Sequence, residues 1–511
     1  MSSINKMFKF KIQYIILLFL IEIILILPIG FVASTDLTDN LNISSPGSTP
    51  ESSFQVNAFS KNILLSTDDS NWNYHVEPMI AIGDNGTLFA GWKNANTHNG
   101  AGEHVSIVKS IDRGVSWTTP FDMPMYNGLN TRQSDPWLVW YNQSIYYAYI
   151  EWDPDYFEYP TFGLFSQVTV AKSSGDITEW TTASASNGSY FADKETMYID
   201  DNGIIYMVYD DVDVSTPVEN ATIRLTRSDN AGESFQEISE IGIPSGGHLG
   251  PYIALNSENH IYIASTWLDI TEGGGNIYFT SSQDGGFTFG NQRFINTDGN
   301  YSFLDSGKVT LPVIQFDQDD RLYLLWADVY ENEAHSIDIY LRYSDDFGEI
   351  WSERFQVNPT TAGNQFMPDM DIDSDGNLHI VYYNAPSQEN FKPYYCLVNF
   401  TGENQNNPIF NTPIAIADKE TSGDYNRPGD YLTIRLDQNN IPHIVWTDGR
   451  NNELDIYYAY GTQNLSDSGS TIGFGLEIFL TVGFVSIIGI GVIILIRRRK
   501  INELLTYGKN N

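Results

Sequence analysis

The sequence predicts an all-β fold, a seven-bladed β-propeller, on three observations. A turn motif of the form Ser-x-Asp-x-Gly-x-x-Trp/Phe recurs at a near-constant period along the 511 residues. A hairpin motif, an apolar strand, a polar turn and a strand closing on Trp or Tyr, recurs seven times at the same period. The chain also carries 31 Tyr and 28 Phe, residues that fit the pleated surface of strands. Self-similarity at a fixed period of this length marks a repeat architecture, and four antiparallel strands per unit match a propeller blade.

The elements follow in chain order. Residues 1–34 read as a signal peptide or signal anchor, because Lys6, Lys9 and Lys11 precede an apolar run from Tyr14 to Val32 that ends on small residues. Residues 35–53 form a polar linker. The propeller is expected over 54–461, followed by a polar tether at 462–471. Residues 472–496 are an apolar span long enough to cross a bilayer as a helix, and the basic tail 497–511, opening on Arg497 to Lys500, marks the cytoplasmic side. The expected location is therefore the cell membrane, with one C-terminal transmembrane helix and the propeller outside.

The turn motif appears as "SIDRGVSW" from Ser110, "SDNAGESF" from Ser228, "SQDGGFTF" from Ser282 and "SDDFGEIW" from Ser344, with a worn copy, "SSGDITEW", from Ser173. Successive copies start 63, 55, 54 and 62 residues apart, a period near 58. In such a turn the Ser and Asp side chains hydrogen-bond the local backbone, and Gly permits positive φ. The aromatic is expected to pack into the seam between blades. The hairpin motif reads "EPMIAIGDNGTLFAGW" from Glu77 and "LPVIQFDQDDRLYLLW" from Leu311, with apolar residues alternating about polar turns. The last repeat has a third strand, Asp455 to Gly461, but no fourth. "FQVN" at Phe54 to Asn57 matches "FQVN" at Phe355 to Asn358, so the segment Phe54 to Ser66 is expected to supply it and close the ring.

Composition restricts function. Residues 35–471 hold 19 Lys+Arg against 61 Asp+Glu, a formal charge of −42, which argues against nucleic acid and anionic membrane surfaces as partners. A single cysteine, Cys396, excludes internal disulfides and cysteine-based zinc sites, and suits a small buried apolar residue. Eight Asn-x-Ser/Thr sequons fit an extracellular glycoprotein.

The repeated turns are what is known as Asp boxes, or BNR repeats, and over 54–461 the chain resembles the sialidase-like propeller superfamily. Its closing segment, "RPGDYLTIRLDQNNIPHIVWTDGRNNELDIYYAY", is similar to the end of secreted or membrane-anchored exo-α-sialidase-like proteins. Sialidases of the superfamily have six blades, which makes six the alternative count. They use three arginines on the substrate carboxylate, a Tyr paired with Glu, and an Asp acid/base. This chain lacks the Phe/Tyr-Arg-Ile-Pro motif that carries the first of those arginines.

In a propeller, the loops between blades and between second and third strands share one face, and function is expected there around the channel. On that basis the catalytic candidates are Arg132, Asp135, Glu195, Arg427, Asp430 and Tyr431. The binding candidates are Glu77, Asp153, Asp369 and Arg450. Arg132, Arg427 and Arg450 are candidate forks for a ligand carboxylate, or else pair with neighbouring acids. No metal ligand set is assigned and no cofactor is established. "DIDSDGN" at Asp371 to Asn377 imitates half of a calcium loop, which makes Ca2+ the ion to consider, but Tyr382 stands where the bidentate acid belongs and related repeats read as hairpin turns. The expected partners are extracellular glycans or glycoproteins. Recognition of these, exo-acting glycoside hydrolysis and a structural surface role remain open from sequence.

Overall fold

A computed structural model describes residues 55–463, apart from connecting segments that include 97–101, 127–130, 154–165, 214–219, 298–310, 330–336 and 422–427. Both apolar spans and the tether beyond residue 463 lie outside the described residues. The described strands form seven antiparallel sheets of four strands or more. They are blades 1 to 7, spanning 74–122, 132–184, 191–241, 247–294, 313–356, 364–415 and, for the last, 433–462 with 58–64. The count is seven, as the repeats indicate.

In each blade the first strand is innermost, and the seven inner strands contact one another in a closed cycle around the channel. The core consists of seven hydrophobic clusters, each joining two neighbouring blades. Tyr262 and Phe279 of blade 4, for instance, pack with Leu324 and Trp326 of blade 5, and Leu65, Val445 and Tyr458 of blade 7 pack with Ile80 and Trp92 of blade 1. Sheet-on-sheet packing of this kind requires two buried faces per blade, which is why second strands such as Leu322–Asp328 are buried at every position.

The ring closes through the N-terminal segment. Ala58–Phe59 and Ile63–Leu64 both pair with Asp455–Thr462, in the register Phe59 with Gly461 and Ile63 with Tyr458. The structural counterpart of Phe355–Asn358 is nevertheless Ile63–Ser66, not the identical tetrapeptide. Leu65 N–H donates to Ile456 as Val357 N–H does to Ile339, and Ser66 Oγ receives Ile456 N–H as Asn358 Oδ1 receives Ile339 N–H. Register was set by apolar burial of Leu65 and Val357, both at most 4% exposed, rather than by residue identity.

The Ser-x-Asp turns are structural devices. Ser110 Oγ receives Gly114 N–H at 2.8 Å and donates to Asp112, whose carboxylate receives Ser116 N–H at 2.8 Å. The same bonds recur at Ser282/Asp284 and Ser344/Asp346, and with Asn230 in the acid's place at Ser228. Trp117 lies 5.0 Å from the Tyr458 ring and Trp351 5.3 Å from Phe279, each on the preceding blade. Gly114 has φ 87°, and a Cβ there would overlap the Tyr458 ring, so both backbone and seam demand glycine. Asp373 in "DIDSDGN" caps its hairpin, receiving the N–H groups of Asp375 and Asn377 at 2.9 Å, and the equivalent Asp200, Asp317 and Asp437 do likewise. That segment is a hairpin turn.

Candidate functional site

The inner strands carry an irregularity at one level of the channel. Register shifts fall between Val76 and Met79, Ser134 and Trp137, Asp193 and Thr196, Leu249 and Tyr252, and Phe366 and Asp369. Each bulge places one residue at positive φ: Glu77 at 59°, Asp135 at 52°, Lys194 at 52°, Gly250 at 61° and Met367 at 50°. Proline follows at Pro78, Pro136, Pro251 and Pro368, where a missing N–H costs the ladder nothing because the bulge leaves it unpaired. In blade 3 Glu195 holds that place, and in blade 7 Asp430 follows Gly429, φ 96°. Left-handed backbone at a non-glycine costs on the order of 1–3 kcal/mol and concentrates at functional sites. Here it re-aims charged side chains into a buried ring.

Lys194 is the hub of that ring. Its Nζ lies 2.5 Å from Asp135 Oδ1, 2.6 Å from Asp430 Oδ2 and 3.8 Å from Asp193 Oδ1. Lys93 Nζ stands 3.5 Å from Glu77 Oε1, and Ser134 Oγ donates to Asp135 Oδ2 at 2.6 Å. Carboxylate oxygens of Glu77, Asp135 and Asp430 lie within 4.8 Å of one another, a donor set that can hold a metal ion. The Lys194 ammonium already bridges two of the three, so the chain supplies its own cation at that point.

Protonation in the ring is uneven. Burial pushes Glu77 up to about 7, against the pull of Lys93, and Asp193 up to about 6, against Lys194. Burial, reinforced by the nearby Asp135 charge, raises Glu195 well above the carboxylate range, and burial does the same to Asp210. Burial acts on Asp135 too, but Lys194 and Lys93 overcome it and hold the carboxyl below its ordinary value. Burial opposes the Lys194 charge, yet Asp135, Asp193 and Asp430 raise its pKa well above the lysine range. Asp135 is thus biased toward the ionised carboxylate and Glu195 toward the neutral acid.

Beside the ring opens a cavity lined by Asp135, Lys194, Glu195, Asp430 and Tyr431 with Trp137, Tyr252, Asp369 and Arg435. Trp137 and Tyr252 meet edge to face at 5.3 Å, and Arg435 Nη1 lies 2.9 Å from Asp369 Oδ2. The same three side chains, Trp137, Tyr252 and Arg435, border a second, larger space toward the C-terminal ends of the inner strands, between Ile82, Trp140, Ile199, Leu255 and Phe316. They partition the channel into two chambers, of which the one beside the ring, near the N-terminal ends of the inner strands, is the upper.

The structure brings Asp135, Glu195, Asp369, Asp430 and Tyr431 together on the cavity wall, with Glu77 behind Asp135. Tyr431 donates its hydroxyl to the Pro136 carbonyl at 3.1 Å, and burial raises its pKa well above that of a free phenol. Arg132 opens the inner strand of blade 2, half-buried, with its guanidinium 5.9 Å from the Trp72 ring centroid. Arg450 is engaged elsewhere. It contacts Asp448 at 2.6 Å, Asp418 at 2.5 Å and Asn62 at 3.0 Å, and lies 4.2 Å from the Tyr457 ring centroid. Asp153 sits half-buried just past the second strand of blade 2, and Arg427 lies outside the described residues. Asp328 and Asp448, at the ends of their second strands, receive the indole N–H of Trp326 and Trp446. Sequence reasoning missed Lys194, Lys93, Asp193, Arg435, Trp137 and Tyr252. One signal was available: five hairpin motifs open on a residue and a proline, and the two that do not contain Glu195 and Asp430 at the proline's place.

No family model matches the chain, and no curated protein does. Solved structures do align with it. A protein of unknown function from Dyadobacter fermentans is 17% identical with a TM-score of 0.44, over 65% of this chain and 96% of its own. A PL25 polysaccharide lyase, an ulvan lyase, is 12% identical with a TM-score of 0.49, over 78% and 97%. A Hadza microbial sialidase is 14% identical with a TM-score of 0.42, over 60% and 63%. A phage endosialidase and a leech intramolecular trans-sialidase also align. Sialidases are thus among the solved structures that align with this chain.

Proposed function

We propose that the protein is a membrane-anchored, extracellular propeller that recognises glycans, free or on glycoproteins, in the upper chamber of its channel. One observation carries this reading: the cavity combines the aromatic faces of Trp137, Tyr252 and Tyr431 with the polar groups of Asp135, Lys194, Glu195 and Asp430. Aromatic faces pack against the C–H faces of a sugar ring, and fixed polar groups bind its hydroxyls. The membrane placement is supported by topology. The last described strand, Asp455–Thr462, runs toward the Ser-x-Asp turn side, so a span starting at residue 472 would turn that side to the bilayer and the upper chamber outward.

Glycoside hydrolysis is the second reading, favoured by the unequal protonation of Glu195 and Asp135. A buried neutral acid beside an ionised carboxylate is the pairing that protonates a glycosidic oxygen and stabilises or hydrates an oxocarbenium-like centre. Glu195 would donate the proton, and Asp135, kept ionised by Lys194, would supply the negative charge. Tyr431, protonated and bound to a carbonyl, serves as cavity wall on this reading.

Mass spectrometry of a mixed glycan library, incubated with the full chain in detergent with and without calcium, separates the readings. Saturable retention of intact glycans supports recognition. Release of a sugar by the wild type and not by Glu195→Gln establishes hydrolysis at this site. Neither retention nor release would overturn both and leave the structural surface role.

A further inference from the structure

Among the described residues that line the upper cavity, every cation is already matched by an acid, and one acid is matched by nothing. Lys194 is held by Asp135 and Asp430 at 2.5 and 2.6 Å. Arg435 is held by Asp369 at 2.9 Å and also donates to the Ile434 carbonyl. Glu195 is only 3% exposed, yet neither of its carboxyl oxygens receives a hydrogen bond from another residue. A buried acceptor without a donor costs about 1–3 kcal/mol and calls for a partner. The cavity wall that carries it also carries Asp135, Asp369 and Asp430. What this wall lacks is a positively charged donor.

Resting on the glycan reading above, we propose that the cavity selects sugars bearing a free, protonated amine, with Glu195 as the acceptor, over N-acetylated and acidic sugars. An ammonium brings three donors and a positive charge into a wall of carboxyls. An acetamido group brings one N–H, one carbonyl and no charge, so it can pair with the protonated acid but gives the wall of carboxyls no cation. A sugar carboxylate or sulfate meets no cation that is not already engaged, and adds a like charge to Asp135 and Asp430. A site built around a buried polar group discriminates strongly against ligands that cannot satisfy it. The titratable groups that act on Glu195 are Lys194 and Asp193 on its own strand, Asp135 and Tyr147 from blade 2 and Tyr431 from blade 7, with Asp430, Glu77 and Lys93 in the ring beyond. Burial raises the Glu195 pKa and an ammonium beside it would lower it, so binding of the amine shifts the carboxyl toward its ionised form and releases protons to solvent.

Calorimetry of the full chain in detergent tests this, in two buffers of different ionisation enthalpy. The ligands are a glucosamine trisaccharide, its fully N-acetylated counterpart, a sialylated trisaccharide and spermidine. The expected result is an affinity for the glucosamine trisaccharide at least about ten-fold above that for the N-acetylated one, with net proton release on binding. In Glu195→Gln both the preference and the proton release disappear while the circular dichroism spectrum is kept. Equal affinity for the two, or a preference for the sialylated sugar, overturns the amine selectivity and leaves glycan recognition standing. Binding of spermidine alone, or of no ligand, overturns both.

Discussion

Replacing Lys194 by Met removes the hub of the buried ring while nearly keeping its volume. Lys194 makes two contacts of 2.5 and 2.6 Å and its side chain is 10% exposed. At an effective dielectric near 20, one such contact is worth about 6 kcal/mol before desolvation. Sparing the ammonium its own desolvation returns several kcal/mol, so the net loss is the ~3–5 kcal/mol typical of leaving a buried charge unpaired. The loss must depend on pH in a definite direction. Without Lys194, burial and the Asp430 charge act on Asp135 with less opposition, so its folded pKa moves from below its unfolded value to above it. A carboxyl whose folded pKa is raised stabilises the fold below the unfolded pKa and loses that stability as pH rises toward the folded one. The deficit of the variant should therefore grow between pH 5 and 7 by up to about 1.4 kcal/mol per pH unit for each carboxyl affected. Urea unfolding of the full chain followed by tryptophan fluorescence, wild type against Lys194→Met at both pH values, measures it. Equal midpoints, or a deficit that does not change with pH, would refute the assignment of Lys194 as the ring's counter-ion.

Three further outcomes follow from the same structure. Glu77→Gln should flatten the decline of wild-type stability between the unfolded value of 4.5 and the folded value of about 7, a term of about 3 kcal/mol that favours acid pH; unfolding midpoints across pH 4.5 to 8 would show it, and parallel curves for the two proteins would count against it. Leu65→Ala, which empties a 4% exposed position in the seam between blades 7 and 1, should cost about 2–5 kcal/mol. Leu64→Ala next to it is 47% exposed and should cost little, so equal urea midpoints for the two variants would contradict closure through this segment. Gly114→Ala forces a Cβ into the Tyr458 ring at φ 87° and should lower the melting temperature, whereas Gly290→Ala, where nothing lies within 4 Å, should leave it nearly unchanged.

The architecture was legible because its determinants are local and repeated. Each Ser-x-Asp-x-Gly turn satisfies its own backbone, as Ser110 and Asp112 do, so its chemistry is written within eight residues and announces itself by recurrence. The closure shows where such reading stops. Segment Phe54 to Ser66 does complete blade 7, but the matching tetrapeptide is offset, and Ile63–Ser66 takes the structural place of Phe355–Asn358. Pairing register depends on which side chain reaches the seam, and both Val56 and Leu65 are apolar and buried. Identity of four residues could not tell the two registers apart.

The site was legible only in part, for the opposite reason. Strand-start position was enough to single out Asp135, Glu195, Asp430 and Tyr431, because inner strands point their first halves at the channel. It was not enough for Lys194, whose role exists only where blades 2, 3 and 7 converge. Nor was it enough for Arg435, placed mid-strand in "TIRL" and tied to Asp369 on the adjacent inner strand. The distinction also sorts the arginines: Arg450 satisfies acids within its own seam and so holds structure, as Asp328 and Asp448 do for their tryptophans. Glu195 fits no such pattern. Proline occupies the equivalent place in four bulges at no cost to pairing, so a buried glutamate there is not required by the fold. It leaves a carboxyl without a donor from any other described residue in a wall of carboxyls, against the rule that buried polar groups are satisfied. Where a repeat departs from its own pattern at a cost in stability, a functional site is the expected reason, and the amine proposed above would supply the donor that Glu195 lacks.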